Sequence, residues 1–197
     1  MPGEIQFFYE FASPYSFIAA KRLPALAART GRIIRWRPIE LQEVWAAQGI
    51  LEAYAAIRKA KRNYIMADAR RTAEDLGFRL EVPSAPIDAT LARLAVHGLE
   101  AHAPGHGARL TLAIWQRLWG EGLGISTLDD LRRALPDGTA QTALTAAIED
   151  PAAVESLRAA NADAVASSCF GVPWLIADGA AYFGQDRLDM MERRLVR

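Results

Sequence analysis

Two short apolar runs at opposite ends of the chain constrain its fold more than anything between them. Near the start, Ile5-Gln6-Phe7-Phe8-Tyr9-Glu10-Phe11 is rich in aromatic and apolar side chains and reads as a buried strand. It leads into Ser13-Pro14-Tyr15-Ser16. Ser13 suits a helix N-cap, and Pro14 suits the first helical position, whose N–H would be unpaired anyway. Tyr15, Ile18, Ala19, Leu23, Leu26 and Ala27 then recur at helical spacing, with a kink expected at Pro24 and an end at Gly31. Residues 33–39 read as a second strand. Near the other end, Phe170-Gly171-Val172-Pro173 precedes an apolar run at 174–177. Asp178-Gly179 is a tight-turn pair, residues 180–183 form a short partner strand, and a last helix is expected from about Asp186.

Between these ends, from about Leu41 to Ser167, no strand pattern is evident. Ala-rich helical patterns run over residues 53–76, 90–99, 110–119 and 152–166. Breaks fall at Gly77, Pro83-Ser84-Ala85-Pro86, Ala103-Pro104-Gly105, residues 120–124 and Pro136-Asp137-Gly138. The spacings do not repeat, which excludes a solenoid. The order is therefore β-α-β, a long helical block, then β-β-α. The first part implies a parallel pair joined by a crossover helix, and the last part a hairpin with a covering helix. Residues 1–40 and 168–197 are expected to form one small mixed sheet domain, interrupted by a helical insertion at 41–167.

The 197 residues amount to one domain, or one domain with a large insertion, and 51% of them are hydrophobic, enough for a sizeable core. Lys+Arg and Asp+Glu balance at 23 each, which argues against nucleic acid or an anionic membrane as the main partner. No stretch is long and apolar enough for a membrane span, and no basic-then-apolar leader is visible, so a soluble cytoplasmic protein is expected. Cys169 is the single cysteine, so no internal disulfide can form. It is expected to be a buried small hydrophobe ahead of the third strand. His97, His102 and His106 superficially suggest a metal cluster, but Pro104 and Gly105 break the helix that would align the last two. No metal site is expected, and no Walker, dinucleotide or zinc spacing is present.

The element order resembles the DsbA-type branch of the thioredoxin superfamily, which implies an α/β thioredoxin-like fold with a large helical insertion. Phe11-Ala12-Ser13-Pro14-Tyr15-Ser16, Phe170-Gly171-Val172-Pro173 and Gly184-Gln185-Asp186-Arg187-Leu188 resemble, in order, the motifs of the 2-hydroxychromene-2-carboxylate isomerase family, related to kappa-class glutathione transferases. Trp119-Gly120-x-Gly122 and Lys61-x-x-Tyr64-x-x-x-Asp68 also fit. Thioredoxin-like proteins carry Cys-x-x-Cys at the first motif and a cis-proline at the second. Here both cysteine positions hold serine. A site shaped for sulfur without its own sulfur points to a ligand that brings one, and the resemblance implies glutathione.

The resemblance assigns roles residue by residue. Ser13 is implied as the catalytic residue, holding a glutathione thiolate at the positive end of a helix. Free thiols titrate near 8.5 and need such help to ionise at neutral pH. No nearby histidine makes Ser13 itself a nucleophile. Ser16 stands where a resolving cysteine would be, and its simpler role is an N3 residue satisfying the helix start. Serine cannot resolve a mixed disulfide, which disfavours an oxidoreductase. Tyr15 contacts the ligand or packs. Pro173 is implied to be cis, so that the Val172 backbone can pair with an extended glutathione. Gln185 and Asp186 are implied to take its γ-glutamyl end, Asp186 also reading as the N-cap of the last helix with Asp189 at N3. Lys61 would meet a carboxylate.

Three departures from the family pattern stand out. Asp88 replaces an asparagine and would repel an anionic substrate. Trp174 replaces a threonine and would reshape the pocket. Residues 50–58 lack a Pro-rich loop. The implied activity is a glutathione-dependent cis-trans isomerisation of an aromatic-degradation intermediate. Reversible thiol addition would let a double bond rotate in a pocket lined partly by Trp and Tyr of the helical block. A small aromatic or enone substrate and a homodimer are the implied partners. A conjugating glutathione transferase and a non-catalytic glutathione-binding relative are the alternatives.

Overall fold

The computed structural model describes residues 3–102, 104–135 and 138–196. The expected breaks at Ala103, Pro136 and Asp137 lie outside them. The chain divides into two compact units, one made of Met1–Tyr54 with Ala160–Arg197, the other of Ala55–Ala159.

The first unit is built on a four-stranded sheet in the order β2-β1-β3-β4. Its strands are β1 (Glu4–Tyr9), β2 (Ile33–Pro38), β3 (Trp174–Ala177) and β4 (Ala180–Phe183). β1 runs parallel to β2 and antiparallel to β3, and β3 antiparallel to β4. As a central strand, β1 is covered on both faces, which explains its near-continuous apolar run. Ile5, Phe7, Phe8 and Tyr9 are all fully buried. At about 1.5–3 kcal/mol per large apolar side chain, that burial anchors the sheet. Phe7 packs against Tyr9 and Trp36, with ring centroids 5.0 and 5.4 Å apart. Phe8 joins a separate cluster with Ile39, Val44, Ala160, Ala164, Cys169, Val172 and Trp174.

Helix α1 (Pro14–Thr30) ends at Gly31, whose φ of 63° is the left-handed conformation that glycine adopts without strain. Pro24 lies inside α1 without ending it. The last helix, α9 (Leu188–Leu195), is preceded by a 3₁₀ turn over Gln185–Arg187. It is clasped to α1 by ion pairs of Arg22 with Asp189 and of Arg29 with Glu192. On α8 (Pro151–Ala166), the Asn161 side chain accepts from Glu40 N at 3.0 Å and donates to the Glu43 carboxylate at 2.7 Å. Those bonds fix the start of the short helix α2 (Leu41–Ala47), which the sequence pattern alone did not separate.

The second unit is helical, as the absence of strand patterns implied. It carries most of α3 (Leu51–Asp75), then α4 (Thr90–His102), α5 (His106–Trp115), α6 (Leu128–Ala134) and α7 (Gly138–Glu149). α4 packs on α5 and α7. The approach to α7 is so close that a Cβ on Gly98 would meet Ala147 O at 2.1 Å. A π turn, Gln116–Gly120, follows α5, and Glu81 N donates to Trp119 O at 2.7 Å. Arg117 holds the following loop through Gly124 O at 2.7 Å and Asp130 at 2.8 Å. Asp130 in turn closes a capping box with Thr127 at the start of α6. Among the described residues, no helix is long and apolar enough to cross a membrane.

Candidate functional site

The site grows from the C-terminal end of β1. There the chain turns through Glu10-Phe11-Ala12 and enters α1. Ser13 N donates to Glu10 O at 3.0 Å, and the buried Glu10 carboxylate accepts from Phe11 N at 2.8 Å. Glu10 thus fixes the turn that presents Ser13. In the sequence Glu10 reads as part of the strand, although it is a lone charge in an aromatic run directly before Ser-Pro.

Ser13 is the N-cap of α1, half-buried, with extended backbone at φ −93° and ψ 113°. Its Oγ accepts from Ser16 N at 3.2 Å. Its hydroxyl proton has no acceptor among the described residues. The first turn of α1 contains no acidic residue to offset the helix dipole. Ser16 is the N3 residue, as expected, with its amide on Ser13 Oγ, while its fully buried hydroxyl has no partner among the described residues. Tyr15 is half-buried on the same turn.

The antiparallel register sets Phe8 opposite Trp174. Pro173 therefore lies one step beyond the last β1–β3 pair, at the end of the sheet where the chain turns toward Ser13. The Val172–Pro173 peptide bond is cis, as the resemblance implied. The Val172 backbone takes no hydrogen-bond partner among the described residues. Pro173 O accepts from Gly184 N at 3.0 Å, which brings the turn before α9 to the same edge. Gly184 has φ 100°, and a Cβ there would lie 2.5 Å from Asp186 Oδ1, so only glycine fits.

Gln185 is pinned to α1, its carbonyl accepting from Arg22 Nη1 at 3.0 Å. Asp186 is not the N-cap of α9, because the intervening 3₁₀ turn moves that position to Arg187. The Asp186 carboxylate is exposed and pairs with Arg187 at 3.2 Å, while Asp189, expected at N3, turns to Arg22. Ser13, Tyr15, Val172, Gln185 and Asp186 all belong to the first unit. Lys61 lies on the exposed surface of α3 in the second.

The two departures of residue type have structural explanations. Trp174 is buried in the Phe8 cluster, only 6% exposed, so its indole fills core space. Its Nε1 has no partner among the described residues. Asp88 accepts from Thr90 N at 2.9 Å, and that bond holds its carboxyl below the usual range and ionised. Trp115 and Trp119 are also fully buried, whereas Tyr64 of the helical block is exposed. Cys169 is buried with its thiol on Gly171 O, and burial pushes it up to about 12. His97 pairs with Ser156 at 2.9 Å and His102 with Asp150 at 2.9 Å.

Chemically, this edge offers a hydroxyl donor and a positive helix end to an anion. In the same unit, the Val172 backbone has no hydrogen-bond partner among the described residues, and the Asp186 carboxylate is exposed. The Ser16 hydroxyl is fully buried and presents no surface to a ligand.

The DSBA-like thioredoxin domain model matches residues 4–196, so the sheet and its inserted helices define a DsbA-like thioredoxin protein. Within that class, the chain belongs to the 2-hydroxychromene-2-carboxylate isomerase family. It is 31% identical, over the full length of both chains, to the Sphingobium xenophagum protein called 2-hydroxychromene-2-carboxylate isomerase. The Pseudomonas putida protein of the same name is 27% identical, covering 98% of this chain and 94% of its own. A solved structure of 2-hydroxychromene-2-carboxylate isomerase superposes with a TM-score of 0.80 at 26% identity, covering 98% of this chain and 94% of that one.

Proposed function

We propose that this chain is a glutathione-dependent isomerase acting on an aromatic-degradation intermediate of the 2-hydroxychromene-2-carboxylate type. The observation that carries the reading is the Ser13 hydroxyl, which accepts from Ser16 N and keeps its proton to donate. When bound, glutathione supplies a thiol that adds reversibly to a conjugated C=C and so permits rotation about it. Ser13 donates a hydrogen bond to the ionised sulfur, and the α1 N-terminus adds its dipole. A charge-assisted hydrogen bond contributes about 1.5–3 kcal/mol and a helix end about 0.3–1 kcal/mol. Together they lower a thiol from near 8.5 by roughly two units, at about 1.36 kcal/mol per unit, enough to ionise it at neutral pH. Val172 aligns the ligand backbone, Asp186 takes its ammonium end, and Tyr15 covers the reacting sulfur.

The family names of the relatives, their full-length coverage and the serine pair in place of redox cysteines support this reading over a disulfide oxidoreductase. The test is turnover of a 2-hydroxychromene-2-carboxylate with and without reduced glutathione, for the wild type and Ser13→Ala. Glutathione-dependent turnover, unchanged in glutathione concentration and lowered roughly 10- to 100-fold by Ser13→Ala, is expected. Turnover without glutathione, or glutathione consumed in step with product, overturns it.

A further inference from the structure

We propose that the free edge of β4 and the adjoining face of α9 bind an extended acidic segment of another protein by strand addition. Among the described residues β4 pairs only with β3. Edge strands are usually guarded by charge, proline or cover, and β4, Ala-Ala-Tyr-Phe, has neither charge nor proline. Ala180, Ala181 and Phe183 are exposed.

The hairpin fixes which backbone groups face outward. A two-residue turn at Asp178-Gly179 makes Ala177 and Ala180 a hydrogen-bonded pair, and such pairs recur at every second position. The 3.0 Å bond from Gly184 N to Pro173 O keeps that phase. The amides and carbonyls of Ala181 and Phe183 therefore point away from β3, and they have no partner among the described residues.

Beside this edge runs a groove of about 440 Å³, lined by all of β4 and by Arg187, Met190 and Arg194 of the last helical segment. Phe183 and Met190 are 43% and 39% exposed, and the Phe183 ring also packs on Phe170 with centroids 4.7 Å apart. The charges of α9 are segregated. Asp189 and Glu192 are taken by Arg22 and Arg29 of α1, while Arg187 and Arg194 line the groove. Arg187 shares one contact with Asp186, and Arg194 has no acidic partner among the described residues. Partly exposed apolar side chains, outward amides and arginines match a strand that alternates apolar and acidic side chains. A second copy is disfavoured, because a two-fold β4–β4 pairing would bring like arginine pairs together.

The test uses the whole chain and a labelled peptide alternating glutamate and valine, with a lysine-for-glutamate control. Anisotropy should show binding of the acidic peptide alone. Hydrogen exchange should show it protecting the Ala181 and Phe183 amides. Arg194→Glu should weaken binding roughly tenfold or more. Ala181→Pro removes an outward N–H but no β3 bond, so it should abolish binding with the thermal midpoint kept. No binding at millimolar peptide, or equal binding by both variants, overturns the proposal. So does amide protection that rises with protein concentration alone, the sign of a second copy.

Discussion

Ser13 and Ser16 share one hydrogen bond and divide its consequences unequally: the Ser16 amide donates to Ser13 Oγ, while the Ser16 hydroxyl is buried with nothing to bond among the described residues. Removing the Ser13 hydroxyl deletes a helix cap, at about 0.5–2 kcal/mol. Removing the Ser16 hydroxyl relieves an unsatisfied buried group, so Ser16→Ala is expected to be neutral or stabilising by up to about 1 kcal/mol. Urea unfolding of both variants checks this. Equal losses would mean that Ser16 has a partner in solution.

Gly98→Ala is expected to separate α4 from α7, because the added methyl would lie 2.1 Å from a backbone oxygen that cannot rotate away. Overpacking of this kind costs about 1–3 kcal/mol. For a chain of this size the thermal midpoint should fall by at least ~2–4 °C per kcal/mol. Gly31→Ala, with open space but positive φ, provides a comparison in which only backbone strain acts.

Acid stability should depend on Asp130. Burial raises its carboxyl, but hydrogen bonds from Thr127 and Arg117 outweigh burial and leave it below the usual range. A depressed folded value means the contribution is present above the unfolded pKa of about 3.9 and is lost as pH falls through the lower folded value. Asp130→Ala should therefore cost about 1–3 kcal/mol at neutral pH and much less near pH 2. An equal cost at both, in urea titrations, would mean that the charge contributes nothing.

The thiol of Cys169 should resist modification in the native protein. Burial holds it up at about 12, so almost none is thiolate at pH 8. An aromatic disulfide reagent should label it only as fast as the chain unfolds, with stoichiometric release in denaturant. Rapid labelling of the folded protein would contradict its burial.

The sheet was readable because its signals are local. Ser-Pro starts α1, Gly31 ends it, Asp178-Gly179 turns the hairpin, and each of these residues sits where the sequence placed it. What escaped depends on neighbours distant in sequence. Trp174 follows a cis-proline and reads as a pocket residue, yet Phe8, Val44 and Ala164 close around it. Asp186 has the type and spacing of a helix cap, but a 3₁₀ turn inserts before α9 and moves that position to Arg187. Glu10 was hidden because a buried carboxylate is distinguished from an exposed one only by what receives it, here the Phe11 amide.

The strand order has a consequence for how the protein is made. β1 is finished within the first ten residues, but its neighbour β3 is drawn from Trp174–Ala177. At about 5–20 residues per second, a ribosome takes on the order of 10–30 s to supply that partner. Throughout that interval Phe7, Phe8 and Tyr9 have β2 on one side only. The helical block can fold while they wait, and the aromatic strand at the N-terminus is the segment a chaperone would have reason to hold.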